Sequence, residues 1–397
     1  MCVNARDLAY STHDPNAVHV MDAKPQSARL PSLDGWRALS ILLVLGGHST
    51  YTAGFPDELR TVFLWVFDGA LGVRFFFCIS GFLITYLMLQ EVERTGRMSL
   101  RDFYIRRTLR ILPVYFLFLA VLFGLQCLTP LKLTFSQWVT SLTFTVDFGE
   151  GQWVNGHLWS LAVEEQFYLL WPVLFVACGL ASRWRRAMLA LALPILLAPV
   201  LRVVGYMHWF PPGWQWVVNP YSFLLHCDAL GLGCGAAFVL QKHAAWTRAL
   251  LCARPGLVCA AALGCIAVPS ILSRLFLVGF FTVPLTPSFQ ALGFVTLMLQ
   301  SVLLPHWGVF RLLNSAAAGQ LGVLSYSLYI WQQPFCASPA TFGLDQPWWL
   351  SFPGWLVPVL AMAAISYYAF ERPFLGLRAR FRRAAPSGPV NDGFHQA

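Results

Sequence analysis

The stretch "LDGWRALSILLVLGGHST", residues 33 to 50, has the apolar character of a membrane helix, yet Arg37 stands near its start and His48 near its end. Similar apolar runs recur along nearly the whole chain, each close to the roughly 20 residues that an α-helix needs to cross a bilayer. Of the 397 residues, 57% are hydrophobic and 11% are charged. A soluble domain carries roughly 25% charged residues. The sequence therefore predicts a helical protein that crosses a membrane many times.

The apolar runs predict an all-α membrane protein, a polytopic bundle of about ten transmembrane helices. The predicted helices lie at 37–54, 62–90, 104–128, 158–181, 187–205, 221–240, 256–273, 288–304, 319–338 and 349–370. The segment 274–287 is also apolar, but Pro284 and Pro287 favour a short or re-entrant piece there.

Three segments are predicted along the chain: a cytoplasmic N-terminal segment 1–32, a transmembrane domain 33–377 and a cytoplasmic C-terminal tail 378–397. The first 30 residues are polar and do not resemble a secretory signal peptide. The polar tail is typical of a disordered end.

The positive charges predict the orientation of the helices. With the N-terminus inside, the cytoplasmic segments collect 22 of the 27 Lys and Arg residues, which agrees with the positive-inside rule. Both termini are therefore predicted to be cytoplasmic. The net charge of +9 is explained by topology, so a nucleic-acid partner is not needed.

No metal site is predicted. The 10 cysteines include no CxxC spacing and mostly lie in apolar segments, where a thiol acts as a small hydrophobe. His226 and Asp228 are two residues apart and so face different sides of a helix. The nearby Gly231, Gly233 and Gly235 more simply allow close helix packing.

Arg37 and His48 are the first candidate pair for chemistry. They are eleven residues apart, about three helical turns, and so share one face. At 1.5 Å per residue, His48 would lie roughly 16 Å above Arg37, near the middle of the bilayer. A neutral imidazole is a common general base, and an ionisable group inside a membrane favours function. The alternative is a histidine that hydrogen-bonds to a neighbouring helix, with Arg37 as a topology anchor.

The second candidate is "FYIRRTLRILPVYF", residues 103 to 116, which carries Arg106, Arg107 and Arg110. Arg106 and Arg110 are four residues apart on one helix face and could clamp one anion, since guanidinium forks suit phosphates. The positive-inside rule alone also accounts for the three arginines. A phosphate-bearing cytosolic ligand would favour the functional interpretation.

The third candidate is "HLWSLAVEEQFYLLWP", residues 157 to 172, with adjacent carboxylates at Glu164 and Glu165. Neighbouring helix residues are about 100° apart, so at least one carboxylate should face the bundle interior. Such a group could orient a histidine, bind hydroxyls or act as an acid or base. The alternative is a structural bond to Arg74 or Arg202.

Six blocks in this order resemble the acyltransferase-3 family of integral membrane O-acyltransferases. They are "LDGWRALSILLVLGGHS", "GVRFFFCISGFLIT", "FYIRRTLRILPVYF", "LWSLAVEEQFYLLWP", "LGVLSYSLYIWQQPF" and "SYYAFERPF", and the resemblance runs from about residue 30 to about residue 377. It implies transfer of an acyl group, acetyl above all, from a cytosolic acyl-CoA to a hydroxyl of a carbohydrate or lipid-linked glycan. The implied location is the bacterial cytoplasmic (inner) membrane.

The resemblance also implies roles for individual residues. The implied catalytic set is His48, Arg37, Glu164 and Glu165, and the implied substrate-binding set is Arg106, Arg107, Arg110, Ser80, Ser160, Tyr326 and Glu371. No permanently bound cofactor is implied, because acyl-CoA is a substrate. Two positions depart from the family pattern: Gln332 stands where many members have a histidine, and His226 where many have an arginine.

The mechanism that we expect from the sequence is direct transfer. His48 would take the proton of the acceptor hydroxyl, the arginines would hold the phosphates of acyl-CoA, and Glu164 or Glu165 would orient His48 or bind the sugar. Ser80 could donate to the oxyanion or serve as a transient nucleophile, but no base is visibly paired with it. The alternatives are a transporter or flippase of an anionic glycolipid, a macrolide-type small-molecule acylase, and a non-catalytic scaffold.

Overall fold

The computed structural model describes residues 30–149, 151–211, 213, 217 and 219–381. Most of the predicted segments 1–32 and 378–397 lies outside these residues. Within the described residues every named element is helical, as predicted. The α-helices are α1 (Leu33–Ser49), α2 (Asp57–Val66), α3 (Gly69–Thr95), α4 (Leu100–Leu128), α5 (Phe135–Leu142), α6 (Trp153–Gly156), α7 (Leu158–Ala177), α8 (Trp184–Tyr206), α9 (Phe223–Lys242), α10 (Ala244–Cys252), α11 (Pro255–Arg274), α12 (Gly279–Leu303), α13 (Phe310–Leu313), α14 (Ala316–Phe335), α15 (Leu356–Ile365) and α16 (Arg372–Arg378).

Seven helical segments of the described chain are long and apolar enough to cross a membrane. They are Asp57–Thr95, Leu100–Leu128, Trp153–Ala177, Trp184–Tyr206, Phe223–Lys242, Pro255–Arg274 and Gly279–Leu303. They support a multi-pass membrane protein. The count of ten and the side on which each terminus lies stay predictions.

The end of α1 differs from the sequence prediction. The predicted helix 37–54 begins earlier and ends at Ser49, so His48 lies in its last turn and not in mid-helix. The physical reason is local: the Ser49 hydroxyl donates to the Gly46 carbonyl at 2.6 Å and the Thr50 hydroxyl to the Gly47 carbonyl at 2.8 Å. These hydroxyls satisfy carbonyls that a longer helix would have paired with backbone N–H groups.

The segment with Pro284 and Pro287 also differs from the prediction. Both prolines lie inside one continuous helix, α12, where we expected a short or re-entrant piece. Proline is tolerated in such a helix when neighbouring groups bind the local backbone. Here the Arg202 guanidinium of α8 donates to the Pro284 carbonyl at 3.0 Å.

Two closely packed helix pairs set the positions of the helices that carry the candidate site residues. α1 packs against α3 and α14, and α3 packs against α9. A Cβ at Gly322 of α14 would overlap the Asp34 carbonyl of α1, and a Cβ at Gly233 of α9 would overlap the Cys78 carbonyl of α3. The absence of side chains at these two glycines therefore sets the separation of both helix pairs, as the sequence predicts for Gly233.

The last long helix contains an irregular turn. α15 continues through a π-helical turn, Ser366–Glu371, into α16. π-helical turns are rare and occur often at functional sites. This one carries Glu371, a predicted substrate-binding residue, whose Oε2 accepts a hydrogen bond from Ser327 of α14 at 3.0 Å.

Candidate active site

A cavity between five helices brings together most of the predicted site residues. It holds about 770 Å³ of space that is partly open to solvent, and it is lined from α1, α3, α4, α7 and α14. We call it the arginine cavity; its polar lining is Arg37, Ser80, Arg107, Arg110, Ser160, Glu164, Glu165, Tyr168, Ser325, Tyr326 and Tyr329. The candidate catalytic residues Arg37, Glu164 and Glu165 are thus found on one surface.

Arg37, Arg107 and Arg110 converge on this cavity from α1 and α4. None of the three forms an ion pair with a carboxylate of the described chain, although Arg37 lies in the electrostatic field of Asp34, Glu371 and Glu164. The Arg107 guanidinium lies 4.8 Å from the ring centroid of Tyr168, a cation–π contact. Three guanidiniums without direct carboxylate partners leave their donors for an anionic ligand.

Arg106 does not line the cavity. Its Nη2 pairs with the Glu91 carboxylate at 2.7 Å, and its Nη1 donates to the Phe381 carbonyl at 2.9 Å. The predicted clamp of Arg106 with Arg110 is therefore wrong in this structure. The pair that shares the cavity is Arg107 with Arg110, which are three residues apart and so also lie on one face.

Ser80 and Glu164 form the closest polar contact in the cavity. The Ser80 hydroxyl donates to Glu164 Oε1 at 2.5 Å and accepts from the Tyr168 hydroxyl at 3.0 Å. The expectation that no base is paired with Ser80 is thus wrong. Glu165 also lines the cavity. The arrangement gives Ser80 a carboxylate partner of the kind that activates a nucleophilic hydroxyl.

Of the two remaining predicted binding residues, Tyr326 lines the arginine cavity and Glu371 does not. Tyr326 lines the cavity and donates to the Ile111 carbonyl at 2.9 Å. Glu371 is buried outside the lining but lies in the electrostatic field of Arg110 and Arg37. We infer from this placement that Glu371 acts on the cavity through the charge of those two arginines.

His48 does not line the arginine cavity. Its Nδ1 lies 2.8 Å from Gln332 Oε1 on α14, and its ring packs against Trp153 at 5.5 Å between centroids. An amide oxygen can only accept, so Nδ1 carries the proton and Nε2 keeps a free lone pair. Gln332, and not Glu164 or Glu165, therefore orients this ring. Gln332 was noted in the sequence only as a departure from the family pattern.

A buried polar layer lies between the arginine cavity and His48. The Ser160 and Tyr329 hydroxyls are 2.5 Å apart, and the Tyr329 hydroxyl also donates to the His157 carbonyl at 3.0 Å. We call this the Ser160–Tyr329–His157 layer. Ser160 and Tyr329 line the cavity, and His157 lies close enough to His48 for their charges to interact.

His157 was not predicted as a site residue. It is 2% exposed, its backbone N–H donates to Gln333 Oε1 at 2.8 Å, and its Nε2 contacts the Ile330 carbonyl at 3.0 Å. Its Nδ1 has no hydrogen-bond partner among the described residues. Its place directly before the Trp–Ser and Glu–Glu motifs was the available sequence signal.

A second group of buried charges lies apart from the cavity. Arg202 Nη2 contacts both carboxylate oxygens of Asp228 at 2.8 Å, and the Ser288 hydroxyl donates to Asp228 Oδ2 at 2.5 Å. We call Arg202, Asp228 and Ser288 the Arg202 cluster. Arg74 donates instead to Gln290. The alternative interpretation of Glu164 and Glu165 as structural partners of Arg74 or Arg202 is therefore wrong.

His226 lies beside the Arg202 cluster without joining it. Its Nε2 contacts the Pro220 carbonyl at 2.9 Å, and its ring lies 5.0 Å from the Trp159 ring. No group of three His, Cys, Asp or Glu side chains that could hold a metal is present in the described part of the chain.

The sequence matches one protein-family model, described as an acyltransferase domain of type 3, over residues 30–376. Among similar proteins, Bacillus subtilis "Putative peptidoglycan O-acetyltransferase YrhL" is 27% identical over 89% of this chain and 56% of its own length. Listeria monocytogenes "Peptidoglycan O-acetyltransferase OatA" is 31% identical over 36% of this chain and 24% of its own length.

Staphylococcus aureus "Putative O-acetyltransferase SACOL0978" is 33% identical over 39% of this chain and 26% of its own length. The chain thus spans just over half of YrhL and about a quarter of the other two. No solved structure matches the chain.

Proposed function

Because the chain belongs to the acyltransferase-3 family, we propose that it is an integral membrane O-acyltransferase. It moves an acetyl group from acetyl-CoA to a hydroxyl of a carbohydrate or lipid-linked glycan. The names of the similar proteins favour a cell-wall glycan as acceptor. The bacterial cytoplasmic membrane is the proposed location. The donor and the acceptor are both part of the proposal.

The arginine cavity is the observation that carries the proposal. Coenzyme A bears phosphates, and a guanidinium binds phosphate bidentately with charge-assisted hydrogen bonds. Arg37, Arg107 and Arg110 offer these donors on one surface, together with the Ser80–Glu164 pair. By the predicted topology, the cytoplasmic ends of α1 and α4 hold these arginines, so the donor enters from the cytosol.

His48 is the proposed general base. Its Nδ1–H is held by Gln332, so Nε2 can take the proton of the acceptor hydroxyl. The hydroxyl oxygen attacks the thioester carbonyl carbon, the C–S bond breaks, and the departing thiolate receives the proton from His48. We place the thioester carbonyl at the Ser160–Tyr329–His157 layer, where the Ser160 hydroxyl can exchange its bond to Tyr329 for one to the oxyanion.

The Ser80–Glu164 contact favours a second route within the same activity. Glu164 would take the Ser80 proton and pass it to the coenzyme A thiolate that leaves as an acetyl-serine forms. The acceptor hydroxyl would then attack the acetyl-serine carbonyl, and its proton would return through Glu164 to the Ser80 oxygen. The 2.5 Å contact is the specific observation behind this route. Direct transfer through His48 remains the first proposal.

The test is acetyl release from labelled acetyl-CoA by the detergent-purified full chain, with and without His48→Ala. We expect slow hydrolysis in the wild type and its loss in folded His48→Ala. Label that stays on the denatured protein, and is lost in Ser80→Ala, would establish the serine route instead. If folded wild type neither hydrolyses nor saturably binds acetyl-CoA, the donor assignment fails, and transport of a glycolipid becomes the next activity to assay.

A further inference from the structure

A second cavity lies next to His48. It holds about 570 Å³ of space that is partly open to solvent, between Tyr51, which follows α1, and residues 338–346. It shares no lining residue with the arginine cavity. The Tyr51 ring lies 4.8 Å from the Trp153 ring, and the Trp153 ring lies 5.5 Å from the His48 ring. The Tyr51 ring, which lines the cavity, and the Trp153 ring, which contacts both Tyr51 and His48, therefore connect this Tyr51 cavity to the proposed base.

The wall of the Tyr51 cavity is partly aromatic and partly polar. Tyr51 is 59% exposed, and Asp345, Gln346 and Ser338 are exposed beside it. Small-molecule sites typically combine apolar surface with a few polar groups that fix orientation. An aromatic ring can pack under the C–H face of a sugar ring, while a carboxylate and an amide bind the hydroxyls at its edge.

The charge of the Tyr51 cavity is opposite to that of the arginine cavity. Asp345 is the one charged side chain among its lining residues, whereas three arginines line the other cavity. A carboxylate repels the phosphates of acyl-CoA and accepts hydrogen bonds from neutral hydroxyls. The two cavities are thus suited to different substrates.

We propose that the Tyr51 cavity binds a neutral sugar ring of the acceptor. Tyr51 supports the apolar face of the ring, Asp345 accepts from its hydroxyls, and Gln346 can serve both hydroxyl and acetamido groups. The inference rests on the proposed function, because only the role of His48 as base makes a ligand beside it the acceptor.

The test is calorimetric titration of the full detergent-purified chain with a tetrasaccharide of N-acetylglucosamine. We expect saturable binding that Tyr51→Ala and Asp345→Ala each weaken at least tenfold, while Tyr51→Phe keeps the ring and binds within about threefold of the wild type, the equivalent of under 1 kcal/mol. Tyr206→Ala is the matched control, because Tyr206 is 58% exposed but does not line the cavity. Its affinity should equal that of the wild type.

Unchanged affinity in Tyr51→Ala, or no saturable binding by the wild type, overturns the assignment. Displacement of the tetrasaccharide by acetyl-CoA alone would overturn it as well, because the two ligands are assigned to separate cavities. The binding measurement needs no turnover. Failure of acetyl-CoA hydrolysis would therefore count against the proposed function alone, and failure of sugar binding against the Tyr51 cavity alone.

Discussion

The Arg202 cluster and the arginine cavity both contain buried arginines and carboxylates, but the arginine is ion-paired in the cluster and the arginines are not in the cavity. Arg202 is saturated: it contacts both oxygens of Asp228 and the carbonyls of Pro284 and Leu225. Arg37, Arg107 and Arg110 instead face open space without an ion pair in the described chain. In this protein, a buried arginine without an ion-pair partner indicates a functional site. A buried arginine with a complete set of hydrogen-bond and ion-pair partners connects helices instead.

The largest expected effect is on folding. Asp228→Ala should destabilise the protein by about 3–5 kcal/mol, because it leaves the buried Arg202 guanidinium without its counter-charge. Thermal unfolding in detergent measures this loss. The double variant Arg202→Met/Asp228→Leu should recover most of it. A single Asp228→Ala variant as stable as the wild type would break the comparison, since the cluster would then not be structural.

The second effect is on ligand affinity. Arg107→Ala and Arg110→Ala should each weaken acetyl-CoA binding about tenfold or more, because a hydrogen bond to a charged group contributes about 1.5–3 kcal/mol. Their thermal stability should change little, since no carboxylate loses an ion pair. Arg106→Ala is the matched control, as Arg106 pairs with Glu91 away from the cavity. Equal affinities in all three variants would contradict the arginine cavity as the donor site.

The third effect is on turnover. Gln332→Leu removes the acceptor that holds His48 Nδ1–H and should lower kcat about three- to tenfold, the equivalent of a net 0.5–1.5 kcal/mol. The Kd of acetyl-CoA should stay unchanged, because Gln332 does not line the arginine cavity. Gln332→Glu keeps an acceptor oxygen and should retain more activity than the leucine variant. A loss of acetyl-CoA affinity in place of kcat would refute the positioning role.

The smallest expected effect is on the pH dependence of stability, and it concerns a carboxylate that is buried but has no cation partner in the described chain. Asp147 is fully buried in the loop before α6, accepts from Gln166 at 2.9 Å, and has no cation within ion-pair distance in the described chain. Burial raises the pKa of Asp147 to about 6. The folded state thus holds a proton that the unfolded state has lost, so stability falls as the pH rises from about 4 to about 6 and is constant above.

Asp147→Asn should therefore raise the apparent Tm at pH 7.5 and leave it unchanged near pH 4, with a gain of about 1 kcal/mol. Thermal scans of both proteins at the two pH values measure it. A variant that is less stable than the wild type at pH 7.5 would show that the ionised carboxylate has a partner. Asp147 would then be a paired structural carboxylate, like Asp228 in the Arg202 cluster.

The fold class was predictable because a membrane helix is recognisable in the sequence as an apolar run of about 20 residues. That Glu164 or Glu165 faces the bundle interior was predictable too, since charged groups inside a bundle must face its interior. Their place beside Arg37 instead of His48 was not predicted. The choice among Arg106, Arg107 and Arg110 was not. These positions differ by rotation of α4 about its axis, and that rotation is set by packing against other helices, including the pairing of Arg106 with Glu91.

The surroundings of His48 were the least predictable part. Gln332 and His157 are brought to the site by contacts across 284 and 173 positions of the chain, which no periodicity reveals. The end of α1 was predicted wrongly, at residue 54 instead of Ser49, so the place of His48 within the helix was wrong as well. The sequence "GGHST" did contain the signal for an earlier end, as two glycines are followed by hydroxyl side chains that can bind the last carbonyls.

The Ser160–Tyr329–His157 layer has a consequence for the membrane around it. A cell membrane maintains a transmembrane potential, and each elementary charge that crosses 100 mV dissipates about 2.3 kcal/mol. A column of water joining the two cavities would be such a leak. The Ser160 and Tyr329 hydroxyls are bonded to each other, and the Tyr329 hydroxyl donates to the buried His157 carbonyl, so these groups are not free to hold such a column of water. In the proposed function, a polar layer of this kind limits the leak of ions past the point where the uncharged acetyl group is transferred.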